Sequence, residues 1–323
     1  MSFAYPQILL DDEAHAGVLE PARGDTPGLS PDRLLWHRVR SSRVARTSAG
    51  VIVALVLIAL LAPLIVAIFG VAGPNVRNPS TLNAFGLPTG PSFGHPFGVD
   101  DRGRDVFARV LYGARTPLEV GILGTALAAV IGTAVGMVAG FYGRWVETVL
   151  MVIVDALLAF PVVLLGLGIG GAIGPGLGTV ILIVALTGFP YIARIVRRRV
   201  SLLREGELIL AARALGAGDR RILWREILPS LRAPLIAYSV LLIPTSILLE
   251  AALSFLGAGI RAPTPDWGQM ISAAGHDILS GNSAWWYLLF PGLALLLTML
   301  AFNLAGEALV DALGELGWRR SET

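Results

Sequence analysis

The sequence predicts an all-α integral membrane protein with six transmembrane helices, and three observations carry that prediction. Of 323 residues, 54% are hydrophobic and only 15% are charged, against roughly 25% charged in soluble domains. Six segments reach the about 20 predominantly apolar residues that a spanning helix needs. The basic residues are also unevenly shared between alternate connections, as membrane insertion imposes.

Taken in order, residues 1–48 are polar, carry an acidic DDE at 11–13 and lack the apolar core and cleavage site of a signal peptide. They read as a retained cytoplasmic tail. Within it, DRLLWHRVRSSRVAR (residues 32–46) reads as an interfacial helix whose basic residues suit an anionic leaflet. The first span covers 49–71 and an extracytoplasmic loop covers 72–116. A five-helix core occupies 117–310, with spans at 117–142, 146–173, 177–195, 234–256 and 286–310, and a cytoplasmic loop at 196–232. A cytoplasmic tail, 311–323, follows. With both termini in the cytoplasm, nineteen arginines fall inside and six outside, which sets the orientation of a multi-pass plasma (inner) membrane protein.

The spans are rich in glycine and proline. Gly132, Gly136 and Gly140 repeat every four residues, removing bulk from one helical stripe so that a neighbour approaches closely. Pro161, Pro190, Pro244 and Pro291 fall inside spans three to six, where each removes a backbone bond and kinks its helix. Ordinary helix packing and relative helix motion around a pathway both fit these residues.

Several chemistries are excluded. The chain has no cysteine, hence no disulfide, thiolate ligand or cysteine nucleophile. Its histidines, His15, His37, His95 and His276, show no metal-ligand spacing. All 25 basic residues are arginine, which rules out a phosphate-binding P-loop lysine and Schiff-base chemistry. No acid/base pair or nucleophile constellation appears, so no catalytic residue, metal or cofactor is assigned to this chain.

One polar island interrupts the apolar pattern: LILAARALGAGDRRILWREILPSL, residues 208–231. Leu208, Ala212 and Leu215 form one apolar stripe on a helix beginning at Glu207. Gly216 and Gly218 end it and turn the chain. Asp219 is placed as the N-cap of a second short helix, which Pro229 stops. Its apolar residues Ile222, Leu223, Ile227 and Leu228 lie mainly on one side, with Arg220, Arg221, Arg225 and Glu226 elsewhere. Three readings compete. The segment is a solvated helix on the lipid headgroups, a DNA-binding helix-turn-helix, or a docking element for a cytoplasmic partner. The second is disfavoured because both ends are tied to spans, whereas a recognition helix must enter a major groove.

Other residues stand out individually. Asp155 and Glu250 are carboxylates in apolar spans, which makes them functional candidates by default. As a proton relay they would make the chain an ion-coupled secondary transporter; hydrogen bonding to a neighbouring helix or backbone is the structural alternative. Asp100, Asp101, Arg102, Arg104 and Asp105 form a mixed-charge cluster outside, read as a folded loop or interfacial helix supporting an extracytoplasmic dock, with internal ion pairs alone as the alternative. Trp267, in the outer turn PTPDWG, is placed as an interface anchor.

The polar island also closely resembles the EAA loop of ABC importer permeases. Ala211 and Ala212, then Gly216, then Ile227, Leu228 and Pro229 carry the resemblance. Leu210 stands where the family carries Glu, with Glu207 one helical turn earlier. HPFGVDDRGRDVFARVLYGART (95–116), GFYGRWVETVLMVIVDALLAFP (140–161), EAALSFLGAGIRAPTPDWGQMI (250–271) and FPGLALLLTMLAFNLAGEALVDAL (290–313) resemble blocks of dipeptide, oligopeptide and nickel permeases, specifically the C type of the two peptide permeases. Val152 replaces the usual Arg, and Glu307 stands where Asp is common. The resemblance implies a MetI-like core paired with a second related permease. It further implies two cytoplasmic ABC ATPases holding ATP and Mg, an extracytoplasmic solute-binding protein delivering peptides, surrounding lipid, and no nucleic-acid partner. The island is then the coupling helix, with residues 219–228 as contact surface and Gly216 as the turn.

Overall fold

The computed structural model describes residues 42–281 and 284–318, with no strands among them beyond two isolated bridges. Helix α1, Arg43–Ile68, starts at Ser42, whose hydroxyl accepts the Ala45 N–H. Arg43–Arg46, the end of the predicted interfacial helix, is therefore its first turn, and residues 32–41 lie outside the described residues. A turn-rich loop leads to α2, Val106–Tyr142. This helix begins ahead of the predicted boundary at 117 because Asp105 caps it through the Ala108 N–H at 2.8 Å. It carries a turn at Ala114 and a π turn at Val120–Gly124.

The predicted third span is broken in two. Helices α3, Arg144–Ala159, and α4, Val162–Ile173, meet at 91°. Phe160 sits in the extended region (φ −78°, ψ 135°) and Pro161 follows with ψ 119°, as expected for a residue whose α conformation clashes with the next ring. Pro190 causes no break in α5, Leu177–Arg204. That helix lies along the glycine stripe of α2, and a Cβ added to Gly132, Gly136 or Gly140 would meet the carbonyl oxygens of Phe189, Ala193 and Arg197 at 2.7, 2.6 and 2.6 Å. Close packing on either side of the proline keeps α5 continuous where propensity would not.

Helix α6, Glu207–Ala214, is short. Helix α7, Asp219–Phe255, runs unbroken from the polar island into the predicted fifth span. Helix α8, Trp267–Leu279, precedes α9, Trp285–Trp318, which extends beyond the predicted end at 310. Five of these helices are long and apolar enough to cross a membrane, and the bent α3–α4 pair makes a sixth candidate.

The core has two main parts. One joins α1, α2, α7, α8 and α9 around Val106, Ile247, Trp267, Met270 and Tyr287. The other joins α2, α3, α5, α6 and α7 around Phe141, Ile192, Val196, Ile222 and Leu231. The second anchors the polar island.

Candidate functional site

Helix α6 ends in a Schellman motif. The Ala217 N–H bonds Ala212 O at 3.0 Å and the Gly216 N–H bonds Arg213 O at 2.9 Å, with Gly216 at φ +82°. Glycine is required there because a side chain would be strained. The cap of α7 is Gly218, not Asp219: Gly218 is extended (φ −72°, ψ 156°) and makes no side-chain cap bond, which places Asp219 as an acid inside the first turn. It still suits the positive end of the helix dipole.

Pro229 does not stop this helix. A π turn at Leu223–Ile227 precedes it directly, and α-helix resumes at Leu228 through the proline. The π turn shifts the bonding register where Pro229 offers no N–H. It also changes which face points inward. One extra residue in the turn brings Ile222 and Ile227, five apart, onto the same side, and both are fully buried (0% and 1% exposed) in the chain's own core. They hold the segment rather than present a contact surface. What faces outward is Leu208, Leu210, Leu215 (89% exposed) and Trp224 (64%), framed by exposed Arg213, Arg220, Arg221 and Arg225. Of the predicted Leu208–Ala212–Leu215 stripe, Leu208 and Leu215 thus face outward while Ala212 packs against the core, with Ile209 as the buried anchor of α6. Among these, Trp224 lay inside the expected contact range 219–228 but was not singled out. Its signal was a lone tryptophan among arginines on a short helix. The Arg213 guanidinium stacks 5.2 Å over the Phe141 ring, tying the segment to the end of α2.

The intramembrane carboxylates have partners. Asp155 on α3 pairs with Arg194 on α5 at 2.6 Å. Glu250 on α7 is fully buried and accepts a hydrogen bond from Ser254 Oγ at 3.1 Å. That hydroxyl also accepts the Ile260 N–H, and Gln269 Nε2 donates to Ile260 O at 2.7 Å. Asp266, also buried, caps α8 through the Gln269 N–H at 2.8 Å. Residues 250–271 are therefore one hydrogen-bonded unit that fastens the loop and α8 onto α7.

Trp267 belongs to the same unit and is not an interface anchor. It is 2% exposed, and its indole N–H donates to Val110 O at 2.9 Å. That carbonyl lies where α2 tightens and the Ala114 N–H turns to Leu111 O, so the indole meets a need left by the helix irregularity.

Asp100, Arg104 and Asp105 of the mixed-charge cluster form a buried knot at the end of the bundle opposite the polar island, with Arg102 exposed beside it. Arg104 Nε donates to Asp100 Oδ2 at 2.6 Å, and Asp100 Oδ1 accepts the N–H groups of Arg102 and Arg104 at 2.9 Å each. The structure adds two residues that the sequence did not single out. Arg109 reaches Asp100 at 3.7 Å and donates to Pro74 O, and His95 Nδ1 lies 2.7 Å from Asp105 Oδ2. Nearby, the Asp277 carboxyl is pushed above its usual range by burial, then by the charges of Asp101 and Asp100, with His276 opposing.

Residues 132–315 match the family described as binding-protein-dependent transport system inner membrane component. Residues 30–79 match the N-terminal TM domain of oligopeptide transport permease C. The chain is 39% identical over 293 residues, 91% of its length and 92% of the relative's, to the dipeptide transport system permease protein DppC of Alkalihalophilus pseudofirmus. It is 40% identical over 286 residues, 88% and 92% of the two chains, to a putative peptide transport system permease protein of Brucella suis. It is 38% identical over 293 residues, 89% and 93%, to the glutathione transport system permease protein GsiD of Escherichia coli. In three dimensions, 63% of the chain corresponds to 95% of a chain of the inward-facing MetNI methionine ABC transporter, at TM-score 0.51 and 20% identity, which is a likeness of fold. By extent of match and by identity, the chain belongs to the family of binding-protein-dependent transport system inner membrane components.

Proposed function

We propose that this chain is one permease half of an ATP-driven importer for short peptides, with both termini and the loop 196–232 in the cytoplasm. A second related permease completes the pathway, two ABC ATPases dock from the cytoplasm, and a binding protein delivers cargo from outside. The observation that carries the reading is the outward face of Leu208, Leu210, Leu215 and Trp224 in its arginine frame. Tryptophan beside arginine is the composition of an interface hot spot, and the exposed leucines extend its apolar face. They stand on a segment whose buried face is packed into the helix bundle. Motion of a docked ATPase is thereby passed to α5 and α7, which switches the pathway between two states with different contacts. ATP hydrolysis belongs to the partners.

Relatives named for dipeptides, peptides and glutathione share a cargo chemistry, a short amide-linked chain, and that supports peptides here. The ion-coupled alternative is weakened because Asp155 is matched by Arg194. Uptake of a labelled dipeptide into vesicles holding the complete transporter tests the reading. Uptake persists when the proton gradient is collapsed with ATP present, and stops when ATP is withdrawn. The reverse pattern sinks the proposal.

A further inference from the structure

A hollow of about 410 Å³ opens where α2 ends, α3 begins and the polar island folds back. Arg144, Arg204 and Arg213 line it with Tyr142, Glu147 and Asp219. The carboxylates do not balance the guanidinium groups. Glu147 is held by Arg197. Arg204 shares Glu205 at 3.2 Å and donates to Phe141 O at 3.4 Å. Arg144 and Arg213 have no carboxylate partner among the described residues, and Asp219 is the only unengaged acid on the wall. Arg144 takes φ +51°, rare outside glycine, directly after Gly143 at φ +64°. That reversal sets Arg144 on the wall of the hollow. Tyr142 and Trp145 stand exposed on the same turn, which is the signature of headgroup depth.

We infer that this hollow is a seat for a phosphate-bearing anion, supplied from the membrane as the headgroup of an anionic phospholipid or from the cytosol as free phosphate. Guanidinium forks match phosphate oxygens in pairs, and basic pockets at the cytoplasmic ends of spanning helices hold such headgroups. The hollow is roomier than one phosphate, leaving space for a glycerol. Its walls come from the ends of α2, α3 and α5 on one side and from Arg213 and Asp219 of the polar island on the other. An occupant therefore braces the junction between bundle and island. Binding stands apart from the importer reading, and only the effect of that brace on coupling rests on it.

The test uses the full chain with the partners it brings from its native membrane, stripped of lipid and exchanged with phosphatidylglycerol or phosphatidylcholine vesicles. Native mass spectrometry counts the retained lipid. Wild type should retain phosphatidylglycerol over phosphatidylcholine. Arg144→Ala with Arg213→Ala should retain roughly tenfold less. Arg198→Ala with Arg199→Ala, which removes the same charge from exposed positions off the wall, should behave as wild type. Lipid retained against added inorganic phosphate assigns the membrane source. Loss of lipid to inorganic phosphate that protects only the intact hollow assigns the aqueous source. Equal retention in the cavity pair and wild type, or equal loss in both pairs, overturns the inference.

Discussion

Gly136 passes so close to Ala193 that a methyl group on the glycine would sit 2.6 Å from the Ala193 carbonyl oxygen. The same relation repeats one turn to either side, at Gly132 with Phe189 and Gly140 with Arg197. Helices α2 and α5 thus meet backbone to backbone, and α5 leads directly into the polar island.

Gly136→Ala should therefore destabilise the protein by about 1–3 kcal/mol, because the neighbour is backbone and cannot rotate away. Gly178→Ala, where an added Cβ meets nothing within 4 Å, should be neutral or stabilising by up to about 1 kcal/mol. Thermal unfolding in detergent compares the two. Equal effects would refute the backbone-contact account.

Trp267→Phe should cost about 1–3 kcal/mol, since it keeps the ring but leaves the buried Val110 carbonyl without its donor. Trp285→Phe, at an exposed position, should change little. The same unfolding assay applies, and a silent Trp267→Phe would argue against the indole bond.

Asp277 gives a pH prediction. Its carboxyl is raised above its usual range by burial and then by Asp101 and Asp100, so the folded state holds the proton more tightly than the unfolded chain. The associated stability is present below the ordinary carboxylate range and is lost as pH rises through the raised value. Asp277→Asn should raise the melting temperature at neutral pH and leave it nearly unchanged in acid. A variant that is destabilised at neutral pH would contradict this.

Ile227→Asp should prevent stable folding, because it buries an unpaired charge in the core beneath the polar island. Trp224→Asp, three residues earlier and exposed, should leave the stability within about 0.5 kcal/mol of wild type. The contrast, read by unfolding of the solubilised chain, separates anchoring from docking residues. Equal damage from both would remove the distinction.

Composition and length made the helical membrane class legible, and the four-residue glycine repeat foretold a close helix contact on α2 without naming α5 as the partner. Local rules failed where a distant partner decides. Pro161 and Pro190 look alike in sequence, yet one breaks a span and the other does not, because only α5 is held by Gly132, Gly136 and Gly140. Trp267 looked like an interface residue because Val110, its partner, lies 157 positions away. In the polar island, the resemblance put residues 219–228 on the docking surface as one block, whereas the π turn brings Ile222 and Ile227 together on the buried side and leaves Trp224 outside. The Schellman turn at Gly216, by contrast, was readable from the residue alone.

The central claim is that Leu215 and Trp224 dock the ATPases. Its most direct test is the yield of ATPase subunits copurified with the chain carrying Leu215→Asp and Trp224→Asp. The account predicts normal membrane insertion and unfolding, with ATPase recovery and peptide uptake both reduced by about tenfold or more. Wild-type recovery and uptake from that double variant would contradict it.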